Sequence, residues 1–452
     1  MGWTPNSDTL LEIAAGRGNG QARYAGRGMD GSQFKRESLS ARFEKTNIGK
    51  VFQRFEASIY SNYADHIMDN YSLRRPAPPA VNHPMPHPMP HSMSPKMNMP
   101  MKMQLDRRTL GGRGMATWQW SDFKLEDGAD AQISTHRSKQ KTGWVTDAKF
   151  YDYGLFSELT WTATSQSQLI SGARYDRATA DNHSPKGQPR RQSALPAGFI
   201  RLEHRLPALP LMVYAGVGYT ERFPDYWELF SPTYGANDHS SAFDSVKTEK
   251  TTQLDIGVMF SGKQVEGWIS AYVGQVNDFI LFNYDLKNLR VSQAENVNAA
   301  IAGGEVGARY SFTENLSTEV SVAYAWGENR STHRALPQMP PLDARLGLVW
   351  QQGAWSTSGL IRMVSPQHRI SVNQGNVVGK DFRSSTGFAI FSINGAYEFD
   401  RQIKFSAGID NIFNRTYSEH LNLAGNSSFG YSSNTPINEP GRVGWLKLNV
   451  EF

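Results

Sequence analysis

Apolar and polar side chains alternate with a period of two along most of this chain, the pattern of a strand with one wet and one dry face. The last stretch is the cleanest case. Leu446, Leu448, Val450 and Phe452 share one face, while Lys447, Asn449 and Glu451 take the other. The same alternation predicts strands over 8–16, 32–45, 50–68, 106–120, 122–136, 153–164, 167–177, 197–205 and 212–220. It continues over 252–260, 265–284, 303–312, 317–326, 343–351, 355–363, 387–399, 402–413 and 445–452. That makes roughly eighteen segments long enough for the ~9–11 residues a membrane-crossing strand needs. No amphipathic helical stretch interrupts them.

The connections sort into two alternating classes. Short ones lie at Ser121-Asp122, Ser165 to Gln168, Ala208-Leu209, Ser261 to Val265, Thr313 to Leu316, Gln352-Gly353 and Arg401-Gln402. Long ones lie near 17–31, 69–105, 137–150, 178–195, 221–250, 285–300, 327–342, 364–386 and 418–441. Short turns at one end and long loops at the other are the layout of a bacterial outer-membrane barrel. The expected fold is therefore all-β, a transmembrane antiparallel β-barrel. With Phe452 ending in the periplasm, counting back by pairs puts every long loop outside the cell, including 69–105.

Composition agrees once that fold is allowed for. The mean hydropathy of −0.51 resembles that of a soluble protein. No apolar run approaches the ~18 residues of a membrane helix. Barrel strands, however, average polar because lumen-facing and lipid-facing residues alternate. The 11 Trp, 18 Tyr and 23 Phe are enough for two interfacial girdles. The net charge of +5 is spread among carboxylates with no long basic block, which argues against nucleic acid as a partner. Cysteine is absent, so neither a disulfide nor a thiolate site is possible within the chain. Met1 is followed by Gly-Trp-Thr-Pro, without the basic and apolar regions of a signal peptide. The glycines of 16–20 and 26–31 lack the strand–loop–helix context of a phosphate loop. No Ser/His/Asp order or close carboxylate pair stands out, so no enzymatic reading is supported.

Chemistry concentrates between His83 and Met103. His83/Met85, His87/Met89 and His91/Met93 repeat His-x-Met in three successive units, and Met97, Met99, Met101 and Met103 follow at every second position. Prolines at 84, 86, 88 and 90 forbid a helix, so these methionines cannot be a helical core. Thioether plus imidazole is a soft, neutral ligand set that suits Cu(I), while the imidazoles also accept Cu(II). The competing reading is a Pro/Met-rich surface segment whose spacing is accidental. A second His-x-Met, His66-Ile67-Met68, ends the strand over 50–68. There the odd positions Phe55, Ala57, Ile59 and Tyr63 are apolar, and the even set includes Arg54, Glu56, Ser58, Asn62, His66 and Met68. Side chains two apart on a strand point the same way, so His66 and Met68 should face the lumen together at its outer end. The alternative is that they only pack the strand end beneath the loops.

Some of these stretches resemble a known family. Gly408-Ile-Asp-Asn-Ile-Phe-Asn-Arg-Thr-Tyr417, followed by a long loop and a strand ending in Phe452, resembles the C-terminal box of TonB-dependent outer-membrane receptors. Arg222-Phe-Pro-Asp-Tyr-Trp-Glu-Leu-Phe230 and Lys247 to Gly257 resemble the loop and strand midway through their barrels. Ala25 to Gly31 and Asp65 to Asn70 bring the likeness closest to the copper receptor subfamily. The resemblance implies a barrel of about 22 strands, filled by an N-terminal plug and energised by the inner-membrane TonB complex. With neither plug nor energising box present, the expectation is an N-terminally truncated product. Residues 1–452 would form a partial barrel domain with a Met/His-rich extracellular loop over 69–105. The plug would supply the donors that His66 and Met68 lack for a complete Cu(I) site, and lipid of the outer membrane would surround the wall.

Asp225, Glu228, His239, His333, Met339, His368, Glu419 and His420 lie on long loops as candidate secondary ligands, each more simply an ordinary loop residue. The expected activity is surface capture of copper and its import to the periplasm. A passive porin-type channel without a plug, or an extracytoplasmic metal-sequestering β protein, would account for the same strands.

Overall fold

The computed structural model describes residues 1–74, 100–183, 188–230, 242–284 and 293–451. They form one antiparallel sheet of 21 strands in which each long strand pairs with the ones before and after it in sequence. The first strands are β1 (Gly2–Asn6), β2 (Thr9–Ala22), β3 (Asp30–Thr46), β4 (Phe52–Asp69), β5 (Lys102–Trp120), β6 (Phe123–Gln140) and β7 (Gly143–Thr162). Next come β8 (Ser167–Asn182), β9 (Arg190–Leu206), β10 (Leu211–Arg222), β11 (Glu249–Ser261), β12 (Val265–Asn283), β13 (Gln293–Ser311) and β14 (Leu316–Asn329). The rest are β15 (Arg334–Ala335), β16 (Asp343–Gln352), β17 (Trp355–Val364), β18 (Gln374–Gly375), β19 (Phe388–Glu398), β20 (Ile403–Asp410) and β21 (Val443–Val450). Two single-turn helices, α1 (Tyr226–Leu229) and α2 (Ala242–Ser245), sit in the loop between β10 and β11. All eighteen predicted strands are present. Among the described residues no ladder joins β1 to β21, so the wall is not closed between them.

The period-two pattern maps onto the two faces of the wall. Ile59, Leu155 and Leu446 point outward and are 65%, 65% and 76% exposed to what would be lipid. The inner face carries ion pairs, as a wet lumen permits: Arg42 with Glu44 at 2.6 Å and Glu56 at 3.1 Å, and Arg174 with Asp130 at 2.8 Å. Short turns close one end of the wall. At one of them Gly353 adopts φ +56°, a conformation that L side chains rarely take.

At the other end the strands run further than the alternation indicates. The long loop expected over 137–150 is replaced by continuous ladder, with β6 and β7 joined by only Lys141 and Thr142. Likewise β2 continues to Ala22, β8 to Asn182, and the loop expected over 69–105 shortens to 70–101. Beyond the hydrocarbon both faces meet water, so hydrogen bonding can continue without an apolar face. Outward positions there are polar: Arg137 pairs with Asp106, whose side chain is fully buried, and lies 4.9 Å from the Trp144 ring.

Small cores fasten the loops over this outer end. Leu229, Phe243 and Ala180 form one, and Val276, Ala299 and Leu336 another. The Arg222 to Phe230 stretch supplies α1, started by a capping box in which Asp225 accepts from the Glu228 N–H at 2.9 Å and Glu228 accepts from the Asp225 N–H at 2.8 Å.

Candidate metal centre

His66 and Met68 share the lumen-facing side of β4, as the parity predicts, and the backbone register adds a third donor. Met68 lies directly opposite Met103 on β5, and His66 opposite Leu105. Directly opposed residues share a face with Cβ atoms ~4.5–5.5 Å apart. Met103 was expected in the loop. It is instead the second residue of β5, held by the same ladder as Met68. Register therefore sets one imidazole and two thioethers on the same face of a paired strand end.

The other side of the site is built by β3. His66 opposes Phe34, and the rings stack with centroids 4.4 Å apart and planes at 27°. Met68 opposes Gly31, next to a bulge at Ser32. A Cβ on Gly31 would lie 2.0 Å from the Phe34 ring, so only glycine lets that ring fold over the imidazole. Met68 is buried, and His66 Nε2 is buried without a hydrogen-bond partner. Leaving a buried polar atom unsatisfied costs about 1–3 kcal/mol. A cation bound through the ring nitrogen would remove that cost. Among the described residues no three His, Cys, Asp or Glu side chains gather into a harder metal site.

The site stands above the lipid-facing band, because the outward residues at its level are charged. Asp65 accepts from Gln104 at 3.1 Å, and Asp106 is paired with Arg137. Asp69 closes the strand end, accepting from the N–H groups of Tyr71 at 3.1 Å and Ser72 at 2.6 Å. Asn70 Oδ1 accepts from the Met101 N–H at 2.9 Å, which fixes Met101 just beyond Met103 with its side chain 51% exposed. Arg74 pairs with the buried Asp30 and lies 4.0 Å from the Phe429 ring. His83, Met85, His87, Met89, His91, Met93, Met97 and Met99 lie outside the described residues.

A cavity of about 380 Å³ adjoins the site, lined in part by His66, Leu105, Arg107, His136, Tyr226 and Trp227. His136 stacks on Tyr226 with centroids 4.3 Å apart and planes at 5°, and meets the edge of Phe150 at 5.5 Å. Sequence reasoning singled out neither His136 nor Phe34. Strand parity was the available signal for His136, which shares a face with Gln132 and Ser134 at the end of its segment.

Of the secondary candidates among the described residues, Asp225 lines this cavity together with His66, and the others lie elsewhere. Asp225 and Glu228 cap α1, and Glu228 also binds Arg222 at 2.8 Å. Glu419 accepts from Arg362 at 2.5 Å, and His333 contacts Glu328 at 3.3 Å. Met339 packs against the Val276 core, and His368 is exposed. His239 lies outside the described residues. His420 is buried, 3.1 Å from Ser385 Oγ and 3.6 Å from Asp381. Burial opposes ionisation of Asp381, but His420, the Ser371 N–H and Gln338 outweigh it and hold the carboxyl below its ordinary range.

Comparison with known proteins agrees with the architecture. The family described as TonB dependent receptor-like, beta-barrel, matches residues 1–412. The ferric enterobactin receptor of Pseudomonas aeruginosa is 20% identical over 368 residues, 74% of this chain and 48% of the relative, so the chain spans about half the length of that curated relative. A solved structure of the copper transporter OprC is 51% identical with a TM-score of 0.92, covering 100% of this chain and 70% of that one. The FrpB iron transporter from Neisseria meningitidis shares the fold, with a TM-score of 0.71 at 13% identity over 99% of this chain and 71% of that one. The family match over residues 1–412, carried by one antiparallel wall of 21 strands among the described residues, places the chain in the TonB-dependent receptor β-barrel family.

Proposed function

We propose that this chain is the barrel portion of a receptor that captures copper at the cell surface and, with its plug, passes it to the periplasm. Family and neighbours are outer-membrane receptors and transporters rather than enzymes, so the work is binding and release without bond-making chemistry. The observation that carries the copper assignment is the strand-end donor set: His66, with its unpartnered buried Nε2, beside the cross-strand pair Met68 and Met103. Soft, neutral donors favour Cu(I) over hard cations, and Cu(II) remains accessible to the imidazole. The copper transporter named among the neighbours supports the same substrate.

The segment from His83 to Met99 collects copper, Met101 and Met103 lead to the strand end, and His66 with Met68 and Met103 holds the ion. Donors on a plug complete the site, and movement of that plug, driven by the inner-membrane TonB complex, releases copper inward. The test is Cu(I) affinity by competition with a chromogenic chelator. The double substitution His66→Ala/Met68→Ala should weaken binding by about two orders of magnitude, the scale of losing two soft contacts of ~1.4 kcal/mol each. Unchanged affinity would sink the assignment.

A further inference from the structure

At the short-turn end of the wall, register sets a second pair of methionines face to face. Met212, the second residue of β10, lies directly opposite Met259 on β11, and Met259 lies opposite Trp268 on β12. Directly opposed residues share a face with Cβ atoms ~4.5–5.5 Å apart. That face is the lumenal one. Met212 shares it with Tyr214, whose ring lies 4.1 Å from the Arg201 guanidinium, and Met259 shares it with Gln253 and Asp255, bonded at 2.9 Å. The outward face at this level holds Val213, Val258 and Ile269 instead.

Met259 and Trp268 are 45% and 47% exposed to the lumen. The indole lies over Gly307 on β13, where a Cβ would come within 2.3 Å of three-atom contact with the ring, so its other face looks into the lumen. Both residues line one cavity of about 600 Å³, together with Glu266, Arg309, Glu319 and Leu360. Arg309 lies between Glu266, opposite it on β12, and Glu319 at 3.9 Å. These charges largely offset one another, which leaves the neutral donors to set what the cavity prefers.

Two thioethers beside an indole form a soft set. Thioether sulfur selects Cu(I) among the ions a cell handles, and the face of a tryptophan attracts a cation held within ~6 Å of its centroid. His204 on β9 opposes Val213 and takes the outward face, so it adds no imidazole that would accept Cu(II). Arg205 opposes Met212 on β9 and is exposed at the turn. Its charge weakens cation binding here relative to the strand end that carries His66, which suits release better than capture.

We propose that Met212, Met259 and Trp268 form a second Cu(I)-binding station at the short-turn end of the lumen, from which the ion leaves the barrel. The station takes copper as cargo from the reading above but rests on different residues. The full chain in zwitterionic micelles, titrated with silver(I) as a closed-shell stand-in for Cu(I), tests it through tryptophan emission. Silver at the station should quench Trp268, a component that disappears in Trp268→Phe. Met212→Leu/Met259→Leu keeps the apolar volume and removes both sulfurs, so the component should require about tenfold to a hundredfold more silver. Should that variant fail to fold, Met259→Leu alone should shift the component about tenfold. His66→Ala/Met68→Ala should leave it in place, so failure of the outer centre and failure of this station are read separately. Zinc(II) at the same concentration should not produce it. Quenching at wild-type silver in the folded methionine variants, or undiminished quenching in Trp268→Phe, would mark an apolar patch and overturn the proposal. Loss of the component in His66→Ala/Met68→Ala, or equal quenching by zinc, would overturn it as well.

Discussion

Gly31 and Met103 show how much of this site depends on single side chains that make no obvious claim in the sequence. Gly31 leaves the space into which Phe34 folds, and Phe34 in turn covers one face of His66. Gly31→Val should push the ring away and mobilise the imidazole. We expect a Cu(I) affinity loss of about tenfold, together with hydrogen exchange of the β3–β4 ladder at Gln33 and Ile67 that rises above wild type. Met103 and Met101 separate placement from composition, since both are methionines at the end of one run. Met103→Leu keeps volume and removes sulfur from the residue facing Met68, so affinity should fall about tenfold. Met101→Leu removes an equally good donor from an exposed position and should change the high-affinity constant by less than about twofold. Equal effects from the two substitutions would show that the methionines act only as a pool.

At the scale of elements, the strand ends and the loop packing that braces them decide what reaches the lumen. The β6–β7 hairpin extends past the apolar band because Asp106, Arg137 and Trp144 satisfy one another on its outer surface. The alternation ends at His136, where the ladder carries a bulge, so periodicity alone predicts a strand that stops at 136. In the package near β18, Asp381 accepts from the N–H groups of Ser371 at 2.9 Å and Gln338 at 3.0 Å, with His420 alongside. Its carboxyl is held below the ordinary range, so its stabilising contribution is present above the unfolded carboxylate pKa and is lost as pH falls through the folded value. Proteolysis of the 365–385 segment should therefore accelerate in acid, below pH ~4. Asp381→Asn should make the segment labile at neutral pH, at a cost of about 1–3 kcal/mol, and flatten its dependence on pH. An unchanged acid profile in that variant would assign the lability elsewhere.

For the whole molecule, the two faces of the wall face different solvents, and stability should respond to face rather than to position along a strand. Ile59 and Asn62 lie three residues apart on β4, one outward and apolar, the other inward and exposed to the lumen. Ile59→Arg should destabilise the folded barrel in bilayers by about 2–4 kcal/mol, as a cation near the hydrocarbon midplane does. Asn62→Arg should cost within about 0.5 kcal/mol. Denaturant titration of tryptophan emission in vesicles gives both values. Equal destabilisation would mean that the lumen side is not wet.

The alternation of single residues carried the eighteen long strands, the facing of side chains within their regular stretches and the end of the wall where the turns are short, because a wall between lipid and water must repeat every two positions; it did not carry the strand extensions that replaced the loop expected over 137–150. It also placed His66 and Met68 on one face and identified the His83 to Met103 run by its donors. Register was not legible, because the partner of a residue depends on the ladder and on bulges such as that at Ser32. Only the paired backbone decided that Met103 faces Met68, that Phe34 covers His66 over a glycine, and that Asp106 is buried while Arg108 beside it stays exposed. Residues far apart in the chain become a site only when neighbouring strands are set in register, and one sequence pattern permits many registers.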